Sequence, residues 1–343
     1  MDVMTARSDA ARTFLARAGW SDAEVTTLAG DASNRRYDRL TKANGDRAVL
    51  MDAPPDKGEK ILPFVRIAAH LSGLGLSAPR VLAQDDAAGF LLLEDLGDDL
   101  FARIMKDNPQ REEMLYAAAV DVLTHVHHSQ PPSLVPYDAK FMTPLAALAF
   151  DWFQFGATGQ TDTKARSRFT AEFEALLTPL ADVPQVLVQR DFHAENLLWL
   201  PDRAGPARVG LLDFQDAMLG HPAYDLMSVL QDARRDVAAL TEAAMIDRYL
   251  AQNPQDPAAF KAAYALLGAQ RNLRIMGGFS RLCMRNGKVH YIDLIPRVWA
   301  HVMTNLKHPA LGSVAQIITD ALPVPTPEVL TTLRSKCATY PDR

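Results

Sequence analysis

Apolar positions along the chain fall into three textures. From Asp9 to Gly19 they recur at helical spacing and stop at a glycine, and "SDAE" at Ser21 to Glu24 has the spacing of a capping box opening a further short turn or helix. Next, "AGDASNRRYDRL" and "RAVLMDAPP" flank Asn44-Gly45, the pattern of strand, tight turn and strand. "EKILPFVRIAAHLSGLG" places Ile61, Phe64, Val65, Ala68 and Leu71 on one helical face and stops at Gly73 and Gly75. "APRVLAQDD" and "GFLLLEDLGDD" then form a second hairpin pattern, whose apolar run breaks into acids.

That break sets the expected boundary, with a β-rich stretch over 1–94 and a mostly helical one over 95–343. Arg111 to His128 spaces Leu115, Ala119, Val122 and Val126 for a helix that ends at Pro131-Pro132. Within this second stretch only "QVLVQRD" and "NLLWLPDRAGPARVGLLDF" read as strands, two of them joined through a Pro- and Gly-containing turn. The predicted fold class is therefore α+β, a small mixed β-sheet lobe followed by a larger helical one.

The strand region carries the chemistry. Asp191 and Asn196 lie five positions apart in "QRDFHAEN", and Asp213 follows the next strand in "LLDF". A hairpin returns the end of one strand to the start of its partner, so Asp213 is expected beside Asn196. One carboxylate to take a hydroxyl proton, with a carboxamide and a second carboxylate to hold Mg²⁺, is what phosphoryl transfer from ATP requires.

"QRDFHAEN" resembles the catalytic loop of the aminoglycoside phosphotransferases and choline kinases, "LLDFQDA" their metal-binding segment, and "GHPAYDL" the element that follows, in the same order. The resemblance implies a protein-kinase-like two-lobed fold. It further implies Asp191 as base, Asn196 and Asp213 as metal ligands, and Asp225 as a support that bonds the backbone of the catalytic loop. His193 is expected to pack rather than react. "GDASNRRYDRL", "LMDAPP", "FLLLEDLGD" and "QRNLRIMGGFSRLCMRNGKVHYIDLIPRV" are similar to the bacterial anomeric cell-wall sugar kinases. Those enzymes phosphorylate N-acetylmuramate and N-acetylglucosamine at the 1-hydroxyl in peptidoglycan recycling. Other small-molecule kinases of the same fold, acting on an aminoglycoside, choline or a homoserine-like acceptor, and a non-catalytic nucleotide-binding module are the competing readings.

The nucleotide side departs from the broad kinase pattern. The loop "AGDASNRRY" has a single glycine, so the backbone amides of Ser33 and Asn34 would have to approach the phosphates, and Met51 stands at or near the place of the usual phosphate-binding lysine. Arg35 and Arg36 are the nearest replacement cations, with Lys57 and Lys60 behind them. Glu94 and Leu96 offer backbone carbonyl and amide groups to adenine.

Composition narrows the partners. Lys plus Arg total 36 against 41 Asp plus Glu, a formal charge of -5, so no basic field invites nucleic acid. No 18-residue apolar run suggests a membrane span, and Cys283 and Cys337 are too few for a disulfide framework. A cytoplasmic monomer that takes ATP and an amino sugar is the expectation. Arg271, Arg274, Arg281, Arg285, Lys288 and Arg297 face only Asp293 between Gln270 and Arg297, which disfavours a cationic acceptor and admits an anionic one. Arg271 is the candidate for substrate contact there, and Trp152 could stack on a sugar face.

Overall fold

The computed structural model describes residues 3–28 and 34–341. Helix α1 (Val3–Arg17) precedes β1 (Glu24–Thr27), β2 (Arg36–Thr41) and β3 (Arg47–Asp52); α2 (Leu62–Gly73) leads to β4 (Val81–Asp85) and β5 (Phe90–Glu94). The five strands form one antiparallel sheet in the order β1-β2-β3-β5-β4. Leu40, Ala48, Leu50, Phe90 and Leu92 pack with Phe14 and Leu15 of α1 on one face. Met51, Leu91 and Leu93, which alternate with them along the strands, are buried as well. Burial on both faces explains why β5 reads as an unbroken apolar run.

The stretch Ser21 to Glu24, expected to open a short turn or helix, does turn at Ser21 and Asp22 but then passes into β1, which pairs with β2 from Glu24↔Thr41 to Thr27↔Asp38. The β-branched residues of "EVTT" and the available edge of β2 outweigh the local capping signal. The acids that end β5 have partners on the sheet, since Arg39 Nε lies 2.8 Å from Asp95 Oδ2 and Arg39 Nη1 lies 2.9 Å from Asp98.

The remaining elements are mostly helical: α3 (Phe101–Asp107), α4 (Glu112–His127), α5 (Ala139–Ala146), a π-helical segment Ala149–Gln154, α6 (Phe155–Thr158) and α7 (Thr163–Leu177). Four three-residue strands follow, β6 (Val186–Val188), β7 (Leu197–Trp199), β8 (Val209–Leu211) and β9 (Met218–Gly220). Then come α8 (Ala223–Leu230), α9 (Ala239–Gln252), the 30-residue α10 (Pro257–Asn286), α11 (Ile295–Asn305), α12 (Gly312–Ala321) and α13 (Pro327–Ser335). As the turn residues foretell, β7 and β8 make a hairpin; β6 pairs not with them but with β9.

Two compact units result. One comprises Met1–Val122 and Ala194–Ala217, the other Leu123–His193 and Met218–Arg343. The sheet ends at Glu94, where the sequence breaks, but its compact unit continues through α3 and most of α4 to Val122 and takes in the later β7–β8 hairpin. In the second unit α10 packs against α11, α8 and the π-helical segment. Gly277 permits the last of these contacts, because a Cβ there would stand 2.2 Å from the carbonyl carbon of Leu148.

Candidate active site

In the first unit the hairpin does what its spacing requires. Leu197 pairs with Leu211, and the Leu212 N–H donates to the Asn196 carbonyl at 3.0 Å. The side chains then meet, with Asn196 Nδ2 3.4 Å from Asp213 Oδ2. Asp213 has a φ of +58°, in the left-handed region that short polar residues tolerate best. Its other oxygen, Oδ1, accepts from Gln215 Nε2 at 2.6 Å, and the next residue, Phe214, packs at a tilt against Phe64 of α2 with ring centroids 4.9 Å apart. Two ligands on adjacent corners of an octahedral Mg²⁺ stand about 3 Å apart. The spacing of this pair fits once the Asn196 carboxamide is turned to present Oδ1. Both are hard oxygen donors, the type Mg²⁺ prefers.

The same unit joins this hairpin to the end of β5. Arg203, on the β7–β8 connection, donates from Nη2 to Glu94 Oε1 at 2.8 Å and from Nη1 to Ser77 Oγ at 2.6 Å. The Leu211 N–H donates to the Ser77 carbonyl at 2.9 Å, and Leu96 Cδ1 closes over Gly210, where a Cβ would stand 3.1 Å from it. Glu94 and Leu96 are thus tied to the strand pair that carries Asn196 and Asp213. The carboxylate of Glu94 also receives Arg80 Nε at 3.2 Å, so its side chain is occupied structurally.

Ser33 lies outside the described residues. Asn34 donates its backbone N–H to Glu59 Oε1 at 3.1 Å, and Arg35 Nε lies 3.0 Å from Glu59 Oε2, both side chains being largely buried. Arg36 pairs at 2.7 Å with Asp38 on its own strand, and that hydrogen bond raises its pKa. Arg35 and Arg36 therefore each carry a carboxylate partner. Met51 is fully buried opposite Tyr37 and brings no charge. Sequence reasoning missed both Glu59 and Arg203: their partners lie 24 and 109 positions away, and neither stands in a recognisable motif.

The second unit holds the preceding loop. Asp225, on α8 and 0% exposed, accepts the Gln189 N–H at 2.6 Å and the Arg190 N–H at 2.9 Å. Burial pushes its pKa up to about 7 against the opposing pull of those two bonds. Arg190 has a φ of +73°, and its carbonyl accepts from Ser228 Oγ at 3.4 Å. The kink aims the next residue, Asp191, into a positive environment. Burial raises the Asp191 pKa, but Arg274, Arg271, His193 and Arg190 lower it by more, and the net direction is down. His193 is itself neutral at pH 7, since burial pushes its pKa to about 4, so the arginines hold Asp191 ionised there.

Arg271 is 4% exposed on α10, with no hydrogen-bond partner for Nε or Nη1. Arg274, one turn on, reaches Tyr224 Oη at 3.4 Å, and Tyr224 in turn lies 3.2 Å from Tyr137 Oη. Arg297 leaves the basic set, because Asp236 pairs with it at 2.6 Å. Trp152 is 6% exposed within the π-helical segment, which makes it a wall residue of the helical core.

A family model described as the phosphotransferase enzyme family matches residues 24–262. An N-acetylmuramate/N-acetylglucosamine kinase of Caulobacter vibrioides is 40% identical, covering 95% of this chain and 99% of that protein. One of Pseudomonas aeruginosa is 32% identical over 88% of this chain and 90% of that one. Among solved structures, a choline/ethanolamine kinase family protein from Mesorhizobium loti superposes with a TM-score of 0.61 at 16% identity, over 96% of this chain and 99% of the other. An aminoglycoside-3'-phosphotransferase of type VIII gives 0.54 at 19%, over 76% of this chain and 97% of that chain. These two likenesses establish the α+β kinase-like fold.

Proposed function

We propose, for a chain that belongs to the phosphotransferase enzyme family, that it transfers the γ-phosphoryl group of ATP to the anomeric 1-hydroxyl of N-acetylmuramate or N-acetylglucosamine. The observation that carries the reading is the Asn196–Asp213 pair, 3.4 Å apart at the open end of a hairpin and preceded in sequence by an ionised Asp191. The curated relatives bear that substrate pair in their names, at identities up to 40% and over nearly the whole chain.

Asp191 accepts the proton of the acceptor hydroxyl in this reading. An anomeric hydroxyl is more acidic than other sugar alcohols and the transition state is loose, so a carboxylate of depressed pKa suffices when it positions the nucleophile well. Asn196 and Asp213 would hold Mg²⁺, which supplies charge neutralisation on the phosphates. Asp225 supports the backbone that presents Asp191, and His193 packs behind the loop. The backbone groups of Glu94 and Leu96 receive adenine, the backbone amides of Ser33 and Asn34 donate to the phosphates, and Arg35 and Arg36 replace the missing lysine. Arg271 contacts the acceptor side, with Trp152 supporting the wall behind it.

The test is incubation with ATP, Mg²⁺ and a panel of free sugars, followed by detection of an acid-labile sugar 1-phosphate. Asp191→Asn should abolish that product while ATP still binds. Phosphate appearing on an aminoglycoside or choline instead, or an unchanged kcat in Asp191→Asn, would reject the reading.

A further inference from the structure

Helix α10 carries Arg271, Arg274, Gly278, Arg281 and Arg285 at successive spacings of three, four, three and four, which places them on one stripe. The stripe starts in the interior, where Arg271 and Arg274 act on Asp191, and climbs through half-buried Arg281 to exposed Arg285. Helical stripes of one charge sign are ordinarily broken by acids at neighbouring positions, because like charges at this spacing repel. Here Asp191 faces only the inner end of the stripe, and the acids near its outer end are committed elsewhere: Asp293 to Arg334 and Asp236 to Arg297. Among the described residues none of the four arginines is ion-paired with a carboxylate within 4.0 Å.

Arg281 shows what that arrangement costs. Burial lowers its pKa, and Arg285 and Arg274 lower it further. A half-buried guanidinium repelled by a like charge on either side of it is stabilised by an anion placed beside it. Gly278 leaves room, since nothing stands within 4 Å of a Cβ added there.

We propose that Arg274 and Arg281, on either side of Gly278, form the subsite for a carboxylate borne by the sugar acceptor. The inference rests on the kinase reading above, in which Asp191 receives the anomeric hydroxyl. On N-acetylmuramate the acid is carried by an ether arm on the third ring carbon, a few ångströms from the anomeric oxygen. N-acetylglucosamine has a plain hydroxyl at that carbon. Arg274 and Arg281 are separated by about 10 Å along the helix axis, a span that a sugar ring and its arm can occupy. The stripe thus distinguishes the two acceptors: the acidic sugar gains a charge-assisted contact that the neutral one lacks.

The experiment compares kcat/KM for N-acetylmuramate and N-acetylglucosamine in the wild-type chain, in Arg281→Gln and in Arg281→Lys. The ratio favouring the acidic sugar should fall about tenfold or more in Arg281→Gln, the size expected for losing one charge-assisted bond. Arg281→Lys, which keeps the charge, should recover part of it. Independently of any variant, replacing the sugar carboxylate by a carboxamide should cost the wild-type chain a similar factor and cost Arg281→Gln little more. An unchanged ratio, a carboxamide used as well as the acid, or a KM for ATP that rises in step with that for the sugar would each overturn the subsite. If the wild-type chain turned over neither sugar, the kinase reading itself would fall, a result that these ratios keep separate from loss of the subsite.

Discussion

The carboxylate of Asp225 receives the backbone N–H of Arg190 at 2.9 Å, one residue before Asp191 and at a φ of +73°. A non-glycine residue in that conformation costs about 1 to 2 kcal/mol, so the bond holds a strained backbone in place. Asp225→Ala leaves the buried Gln189 N–H and the partly buried Arg190 N–H without their acceptor. The expected loss is about 2 to 5 kcal/mol in urea unfolding, with a smaller loss for Asp225→Asn, which keeps one acceptor oxygen. Equal stability of wild type and Asp225→Ala would show that the loop finds other acceptors.

Asp213→Asn removes the charge from the proposed metal pair but keeps an oxygen in place. The Mg²⁺ concentration giving half-maximal turnover should rise at least about tenfold, as for loss of a charged ligand. Mn²⁺ binding in the presence of a non-hydrolysable ATP analogue, followed by electron paramagnetic resonance, should weaken by a comparable factor. Unaltered Mn²⁺ binding would move the metal away from this hairpin.

Arg35 and Arg36 differ in a way that ranks them as phosphate contacts. The Arg35 side chain is 11% exposed and anchored by Glu59, whereas that of Arg36 is 57% exposed. Pre-organisation favours the anchored one. Arg35→Met should raise the KM for ATP about tenfold, more than Arg36→Met does, and Glu59→Gln should reproduce part of the Arg35 effect. The reverse order in steady-state kinetics would assign the phosphates to Arg36.

Buried histidines set the acid side of the stability profile. His127, whose Nδ1 lies 2.7 Å from Tyr249 Oη, has its pKa lowered to about 3, and His221 to about 4, both chiefly by burial. Each is neutral in the fold where the unfolded chain binds a proton, so its contribution is complete above about pH 6.5 and is lost as pH falls toward those values. The slope is about 1.4 kcal/mol per pH unit per histidine. Asp225, with a pKa raised to about 7, works in the opposite sense over part of that range. Replacing His127 by Gln should therefore flatten the decline of stability between pH 6 and about 4. A parallel slope in the variant would mean that His127 already carries its proton in the fold.

The fold was readable wherever one short chain segment decides its own partner. The Asn44-Gly45 turn joins β2 to β3, and the Pro and Gly between Trp199 and Val209 join β7 to β8, so the approach of Asp213 to Asn196 followed from spacing alone. Pairing of β6 with β9 did not, because three-residue strands 30 positions apart leave no periodic trace. The turn at Ser21 and Asp22 is legible in the sequence, but the strand β1 that follows it is not, because the edge it joins lies outside that local signal. Motif order in the loop pointed to Asp191, Asn196, Asp213 and Asp225, but not to Glu59 or Arg203. Those two act through ion pairs that only the folded chain assembles.

Gly277 has the last word on how acceptor preference can change. Its missing side chain lets α10 lie directly on the backbone at Leu148 and Ala149, where even one methyl group would collide with three main-chain atoms. That close contact exists only while position 277 has no side chain, so a substitution there would push α10 off this backbone and re-aim its arginines together. Selectivity can therefore drift by two routes, exchange of the arginines themselves or a change at a residue that never meets the acceptor.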